Sequence, residues 1–443
     1  LLALALPAAL YLCGFIPAFE WRGQRFKTID VLADIRPDTV AAEASDTLAA
    51  ELPDTVLLPL PDSCPPGYVC IEDYSPERRT MAAFFAALQN AQNGGPICRI
   101  AFFGDSFIEG DLMTADLRDT LQRAFGGYGV GFVPIATESA AFRATIGHRY
   151  NGFESFTIVH HKGRPFAAGG YCTLPGAGNR VTYTARAGKP QWSVFPRIRL
   201  FYRAQGMPRT CAYSLDGRPD TLLALRSTGW LETAVLDGGN ARSASFGFPA
   251  TDSLQLYGVS FEGTGGVVLD NFSLRGHSGM GLTLIADSMH RRFNALQQYR
   301  LIVLQYGLNI TKAETVQYDW YVPRMVSVIE QIKANFPGAS ILLMGVPDRS
   351  MNRNGSYVTI PAIPALIAVQ RRIAKETGIA FWDTYSAMGG KNSMVDWVGQ
   401  KPPLANKDYT HLNNRGAQKI AQLFSQTLLF QYGTYLQTQT PPR

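Results

Sequence analysis

At 443 residues, 46% hydrophobic and 17% charged, the chain has the composition of a folded globular protein large enough for two or three domains, which excludes an intrinsically disordered polymer. Its formal net charge of +6 is modest, so no nucleic-acid partner is expected and a slightly basic surface without an anionic partner is the default.

Residues 1–19 are almost purely apolar, with Pro7 and Pro17 inside and no charge before Glu20. That is about long enough to cross a bilayer, and it reads as a signal peptide or membrane anchor recorded from within the targeting segment. Cys13 follows Tyr11-Leu12, too bulky for the small-residue cleavage site that lipidation needs. Residues 20–75 read as a proline-containing spacer with a helix over 41–52. In an exported chain cysteines pair. Cys64 and Cys70 flank a turn-rich stretch and can close a small loop, Cys172 and Cys211 are the second expected pair, and Cys13 and Cys98 have no obvious partners. No spacing resembles a zinc site, so no metal and no cofactor is assigned.

An apolar helix face at Met81, Phe84, Phe85 and Leu88 opens the next region, 76–144. A buried-strand pattern over 97–103 then runs into the tight turn Gly104-Asp105-Ser106 and a helix in which Met113, Leu117, Leu121 and Phe125 recur before Gly126-Gly127. Glu109 and Asp111 are expected to start that helix through its dipole, and Asp105 to brace the turn. Over 145–265 the pattern changes to short alternating strands, at 155–160, 180–185, 197–203, 210–215, 222–226, 230–236 and 253–261, separated by turn residues. Such spacing predicts a β-sandwich or jelly roll. Tyr150, Tyr171 and Trp192 within it either pack or stack on sugars. From 266 to 443 longer units return: helices near 282–296, 318–335, 363–377 and 414–430 alternate with apolar strands at 301–305, 340–345 and 379–382. This is the signature of a parallel sheet covered on both faces. The all-β stretch is therefore an insertion into one α/β domain.

Ser106 follows the first strand, Asn309 in Gly307-Leu308-Asn309 follows another, and Asp408 and His411 precede the last helix. A serine hydroxyl needs a base to become a nucleophile, and histidine titrates in the right range. His411 can be that base, Asp408 its orienter, and the Asn309 amide a donor to a developing oxyanion. His148, His160, His161, His277 and His290 have no motif partners, although His277 can line the site.

Gly104-Asp105-Ser106, Gly307-x-Asn309 and Asp408-x-x-His411 resemble the blocks of the SGNH, or GDSL, hydrolase superfamily. The resemblance implies a flavodoxin-like three-layer α/β domain. It also implies an oxyanion hole built from the N–H groups of Ser106 and a glycine, Gly279 first and Gly276 second, with Asn309. The insertion between serine and glycine blocks, together with Gly104 to Asp111 and Leu269 to Gly279, is similar to bacterial peptidoglycan O-acetylesterases, in which a carbohydrate-binding-module-like β-sandwich interrupts the hydrolase domain. It implies an esterase acting on O-acetylated peptidoglycan or a related glycan in the cell envelope, periplasmic, secreted or membrane-anchored through 1–19. A glycan O-acetyltransferase and a non-catalytic glycan-binding protein are the alternatives.

Overall fold

The computed structural model describes residues 64–439 except 208 and 249–252, together with 19–21 and 24–26. The targeting segment, Cys13 and the helix expected over 41–52 lie outside the described residues. Two compact units divide at residue 58. In the first, Phe19–Trp21 pairs antiparallel with Gln24–Phe26.

In the second unit, six strands form the central sheet: β1 (Ile71–Asp73), β2 (Cys98–Gly104), β3 (Val267–Ser273), β4 (Tyr299–Gln305), β5 (Ser340–Met344) and β6 (Ala380–Trp382), in the order β3-β2-β4-β5-β6-β1. All neighbours are parallel except the edge strand β1, which pairs antiparallel with β6. Both faces of the sheet are covered, which is why residues 100–103 of β2, 301–304 of β4 and 341–344 of β5 are continuous apolar runs. Ile100 and Phe102 point into one core with helices α1 (Ala82–Gln92), α2 (Thr114–Phe125) and α6 (Asn414–Gln439). Ala101 and Phe103 point into the other with α3 (Asp287–Gln297), α4 (Tyr321–Asn335) and α5 (Ala362–Thr377). The result is the three-layer α/β arrangement expected, with α6 running past the expected residue 430 because Tyr432 is buried against Phe85 and Phe125.

Between α2 and β3 the chain builds two antiparallel sheets. One contains Gly131–Pro134, Glu154–Thr157, Tyr171–Leu174, Arg197–Ala204, Leu231–Asp237 and Leu254–Glu262; the other contains Ile146–Asn151, Asn179–Ala185, Arg209–Leu215, Thr221–Leu225 and Ser243–Phe248. Val181, Tyr183 and Phe246 of one share a core with Leu200, Val259 and Phe261 of the other. Pairing starts earlier than residue 145, because Gly131–Pro134 already joins Leu254–Glu262.

Cys64 and Cys70 form a disulfide. The second expected pair does not exist: Cys172 and Cys211 are both buried free thiols, on strands of different sheets and in different cores. Burial pushes their thiols up, to about 11 and about 12.

Candidate active site

The carboxyl ends of β2, β3 and β4 lie side by side, since Gly104 pairs with both Ser273 and Gln305. Loops leaving those ends converge, as is usual in open parallel sheets. The chain leaves β2 through Gly104, where a Cβ would sit 2.9 Å from the Ile108 side chain. The Asp105 carboxylate accepts from Phe107 N–H at 2.9 Å and so braces the turn that presents Ser106. Burial pushes the Asp105 carboxyl up to about 7, opposed by that N–H and by His411.

His411 reaches Ser106 from the loop before α6. Its Nε2 is 3.4 Å from Ser106 Oγ, and its Nδ1 is 2.7 Å from Asp408 Oδ2. The first distance is longer than a formed hydrogen bond, a separation common before substrate binds. Asp408 divides its work: Oδ2 takes the ring while Oδ1 accepts the backbone N–H groups of Thr410 and His411, each at 3.0 Å. Partial burial would raise its carboxyl, but these donors from His411 and Thr410 hold it below the usual value. Both residues face solvent, at 49% and 47% exposed.

Asn309 follows β4 on a short turn, and its Nδ2 donates to Asp105 Oδ2 and to the carbonyl of His277, both at 3.0 Å. Asp105 thus joins the serine turn to the asparagine loop, a role that spacing in the sequence could not signal. Gly279 holds φ +90°, and a Cβ there would lie 2.8 Å from the Tyr306 ring, whereas one on Gly276 would meet nothing within 4 Å. Sterics therefore demand glycine at 279. Among the described residues the N–H groups of Ser106 and Gly279 have no acceptor. A reacting carbonyl oxygen stabilised by free backbone donors, beside a hydroxyl with a base in line, is the equipment of acyl transfer.

Other expectations change. Glu109 and Asp111 do not serve a helix dipole, because the chain kinks between Ser106 and α2, with Asp111 at φ 68° and Met113 at φ 62°. Glu109 instead pairs with Arg275 at 2.8 Å. Asp111 is buried, bound by Arg143 at 2.8 Å and Arg118 at 3.5 Å, and accepts the Thr145 hydroxyl. Burial would raise its carboxyl, but Arg143 and Arg118 hold it far below the usual range. The His277 ring is buried edge-on to Tyr306, with burial pushing it down to about 4; its carbonyl, not its imidazole, meets the site. Trp192 is buried and donates to Gln122 at 3.0 Å, Tyr171 is half-buried on Thr137, and Tyr150 remains exposed. Trp230, not singled out by spacing, is 60% exposed. A groove of about 660 Å³ runs between α2 and α6, but Ser106, Gly279, Asn309 and His411 do not line it.

Residues 246–419 match the model of the GDSL-like Lipase/Acylhydrolase family, a stretch that includes Gly279, Asn309, Asp408 and His411 and excludes Ser106. A solved structure of a peptidoglycan O-acetylesterase superposes with a TM-score of 0.68 at 24% identity, covering 82% of this chain and 99% of that one, which shows a shared fold. A family two carbohydrate esterase from Cellvibrio japonicus aligns at a TM-score of 0.27 and 9% identity, over 65% of this chain and 100% of that one. No curated protein matches the chain in sequence.

Proposed function

From the premise that the chain carries a GDSL-like acylhydrolase domain, we propose that it is a serine esterase removing O-acetyl groups from peptidoglycan or a related extracytoplasmic glycan. The observation that carries this reading is the line Ser106–His411–Asp408, with Oγ to Nε2 at 3.4 Å and Nδ1 to carboxylate at 2.7 Å, together with N–H groups of Ser106 and Gly279 that have no acceptor among the described residues.

In this reading His411 takes the Ser106 proton as Oγ bonds to the acetyl carbon, and the carbonyl π electrons move to the oxygen. The N–H groups of Ser106 and Gly279 hold that oxyanion. Asn309 joins by sharing or turning one of its two N–H groups, both of which are committed at rest to Asp105 and His277. Collapse expels the sugar oxygen, which takes the proton from His411. Water, deprotonated by the same ring, then attacks the acetyl carbon; the bond to Ser106 Oγ breaks, Oγ takes the proton back from His411, and acetate leaves. Asp408 fixes the ring tautomer throughout. Exposure of the dyad to solvent supports hydrolysis over transfer to a sugar, because water has free access to the acyl-enzyme.

The two antiparallel sheets over 131–262 are read as an inserted β-sandwich that captures glycan and the cell envelope as the location; of residues 20–75, expected to be a spacer, Ile71–Asp73 instead belongs to the central sheet, so the spacer reading is kept only for the part ahead of that strand. The solvent-exposed Asp408–His411 pair supports an acetyl group presented on a polymer. The test is acetate release from O-acetylated peptidoglycan, with chemically deacetylated material and a Ser106→Ala variant as controls. Acetyl transfer to an added oligosaccharide in preference to water would favour the transferase. Turnover by Ser106→Ala at the wild-type rate would remove the nucleophile from this scheme.

A further inference from the structure

The hairpin Ser350–Arg353/Ser356–Thr359 pairs only with itself, outside the central sheet, and has no part in the chemistry above. Its contacts nevertheless fall on the active-site rim. The ring of Tyr357 lies flat on Tyr409, with centroids 3.5 Å apart and planes 10° from parallel, and Ser350 N–H donates to the Tyr409 carbonyl at 3.0 Å. Tyr409 stands between Asp408 and His411 at φ 55°, a left-handed conformation that a bulky side chain adopts at a cost. On the other flank Arg349 donates to Thr311 Oγ1 at 2.8 Å, and Arg353 pairs with Glu314 at 2.6 Å, both on the loop that follows Asn309. The hairpin's root is fixed: Asp348 accepts from Arg349 N–H, the Thr359 hydroxyl and Met394 N–H, each at 2.8 Å.

The loop of Asp408 and His411 needs such support. Among the described residues, the hydrogen bonds of 408–411 come from the loop itself apart from the Ser350 and Ser106 contacts. Internal bonds set the shape of the dyad but not its distance from Ser106. Reaction rate depends steeply on that distance, since a misplacement of about 1 Å can cost roughly 100-fold.

We propose that this hairpin is a strap, and that Tyr357, a positioning residue stacked on Tyr409, sets His411 at reactive distance from Ser106 while Arg349 ties the same strap to the Asn309 loop. The inference rests on the acylhydrolase reading and adds to it a residue that touches no reacting atom. Tyr357→Ala should lower kcat on a small soluble acetyl ester roughly 10- to 100-fold with KM unchanged, and slow inactivation by a serine-directed sulfonyl fluoride by the same factor. Tyr357→Phe, which keeps the stacked face, should restore both. Tyr357→Leu should reproduce the loss if alanine unsettles the hairpin. Wild-type kcat in a folded Tyr357→Ala protein overturns the proposal, as does a loss confined to KM or to polymeric substrate, which would make Tyr357 a substrate contact. A failure of Tyr357→Phe to restore activity overturns it too. A wild-type protein that neither cleaves acetyl esters nor reacts with the sulfonyl fluoride overturns the acylhydrolase reading itself, and the strap with it.

Discussion

Asn309 meets the site already holding two partners, Asp105 and the His277 carbonyl. Its amide is thereby oriented before any charge develops, which is the condition under which a donor favours the transition state over the ground state. Asn309→Ala should therefore lower kcat on a small acetyl ester by roughly 100- to 1000-fold with little change in KM. A defect confined to KM would make Asn309 a binding group. The serine, asparagine and histidine blocks were legible in the sequence because each is a chemical residue set at the end of an apolar run or just before an amphipathic helix. What could not be read was Asp105 bridging two of those blocks, since contact between residues 105 and 309 depends on strand order and leaves no local pattern.

The kinked turn between β2 and α2 shows the same limit in an element. Periodicity at Leu117, Leu121 and Phe125 foretold the helix, and all three are buried. It gave no hint of the left-handed Asp111 and Met113, or of the buried cations around Asp111. Arg143 binds that carboxylate through two nitrogens, at 2.8 and 3.1 Å. Removing one partner strands a buried charge, which typically costs about 3–5 kcal/mol. Arg143→Met should destabilise the protein by about that much in a denaturant titration and slow Ser106 chemistry as the turn relaxes; a change under about 1 kcal/mol would mean that solvent or Arg118 replaces it. Several strands escaped the sequence reading, among them Ile71–Asp73, Gly131–Pro134, Ile146–Asn151, Tyr171–Leu174, Ser243–Phe248 and the hairpin Ser350–Arg353/Ser356–Thr359. Ser243–Phe248 does alternate, with Ala244, Phe246 and Phe248 inward. Its inward alanine and intervening serines and glycine weaken the contrast on which period-two recognition depends.

Across the whole molecule, a buried charge network fastens the antiparallel sheets to the central one. Arg99 of β2 pairs with Glu262 at 2.7 Å and Asp270 at 3.3 Å, and Arg199 reaches Glu262 at 3.3 Å and Gln297 at 2.7 Å. Burial alone would raise the Glu262 carboxyl, but Arg99 and Arg199 bring it from 4.5 down to about 2. The unfolded chain then takes up its proton first, so the stabilisation is full above pH 4.5 and disappears as pH falls toward 2. Glu262→Gln, though less stable at neutral pH because it leaves Arg199 without a carboxylate and Arg99 with Asp270 alone, should show a shallower loss of Tm over that acid window. An unchanged slope would assign acid sensitivity elsewhere, Asp111 first. The outer surface of the same sheets exposes Tyr150 and Trp230. If these contact glycan, alanine at either should reduce acetate release from peptidoglycan and leave a small acetyl ester untouched. Equal losses on both substrates in a folded variant would mean that the sheets shape the active site instead.

Strands β2 and β3 are neighbours from Cys98↔Val267 to Gly104↔Ser273, yet the whole antiparallel region is threaded between them. Closing so long a loop is entropically slow, and pairings of high sequence separation form late in folding. Ser106 is thus far ahead in the chain of Gly279, Asn309 and, last of all, His411, and meets them only once these long-range pairings close. Competence is therefore expected at the end of assembly, not accumulated along it. In refolding from denaturant, backbone circular dichroism should recover ahead of sulfonyl fluoride reactivity at Ser106, and simultaneous recovery would show that the surroundings of Ser106 form as early as the sheets do.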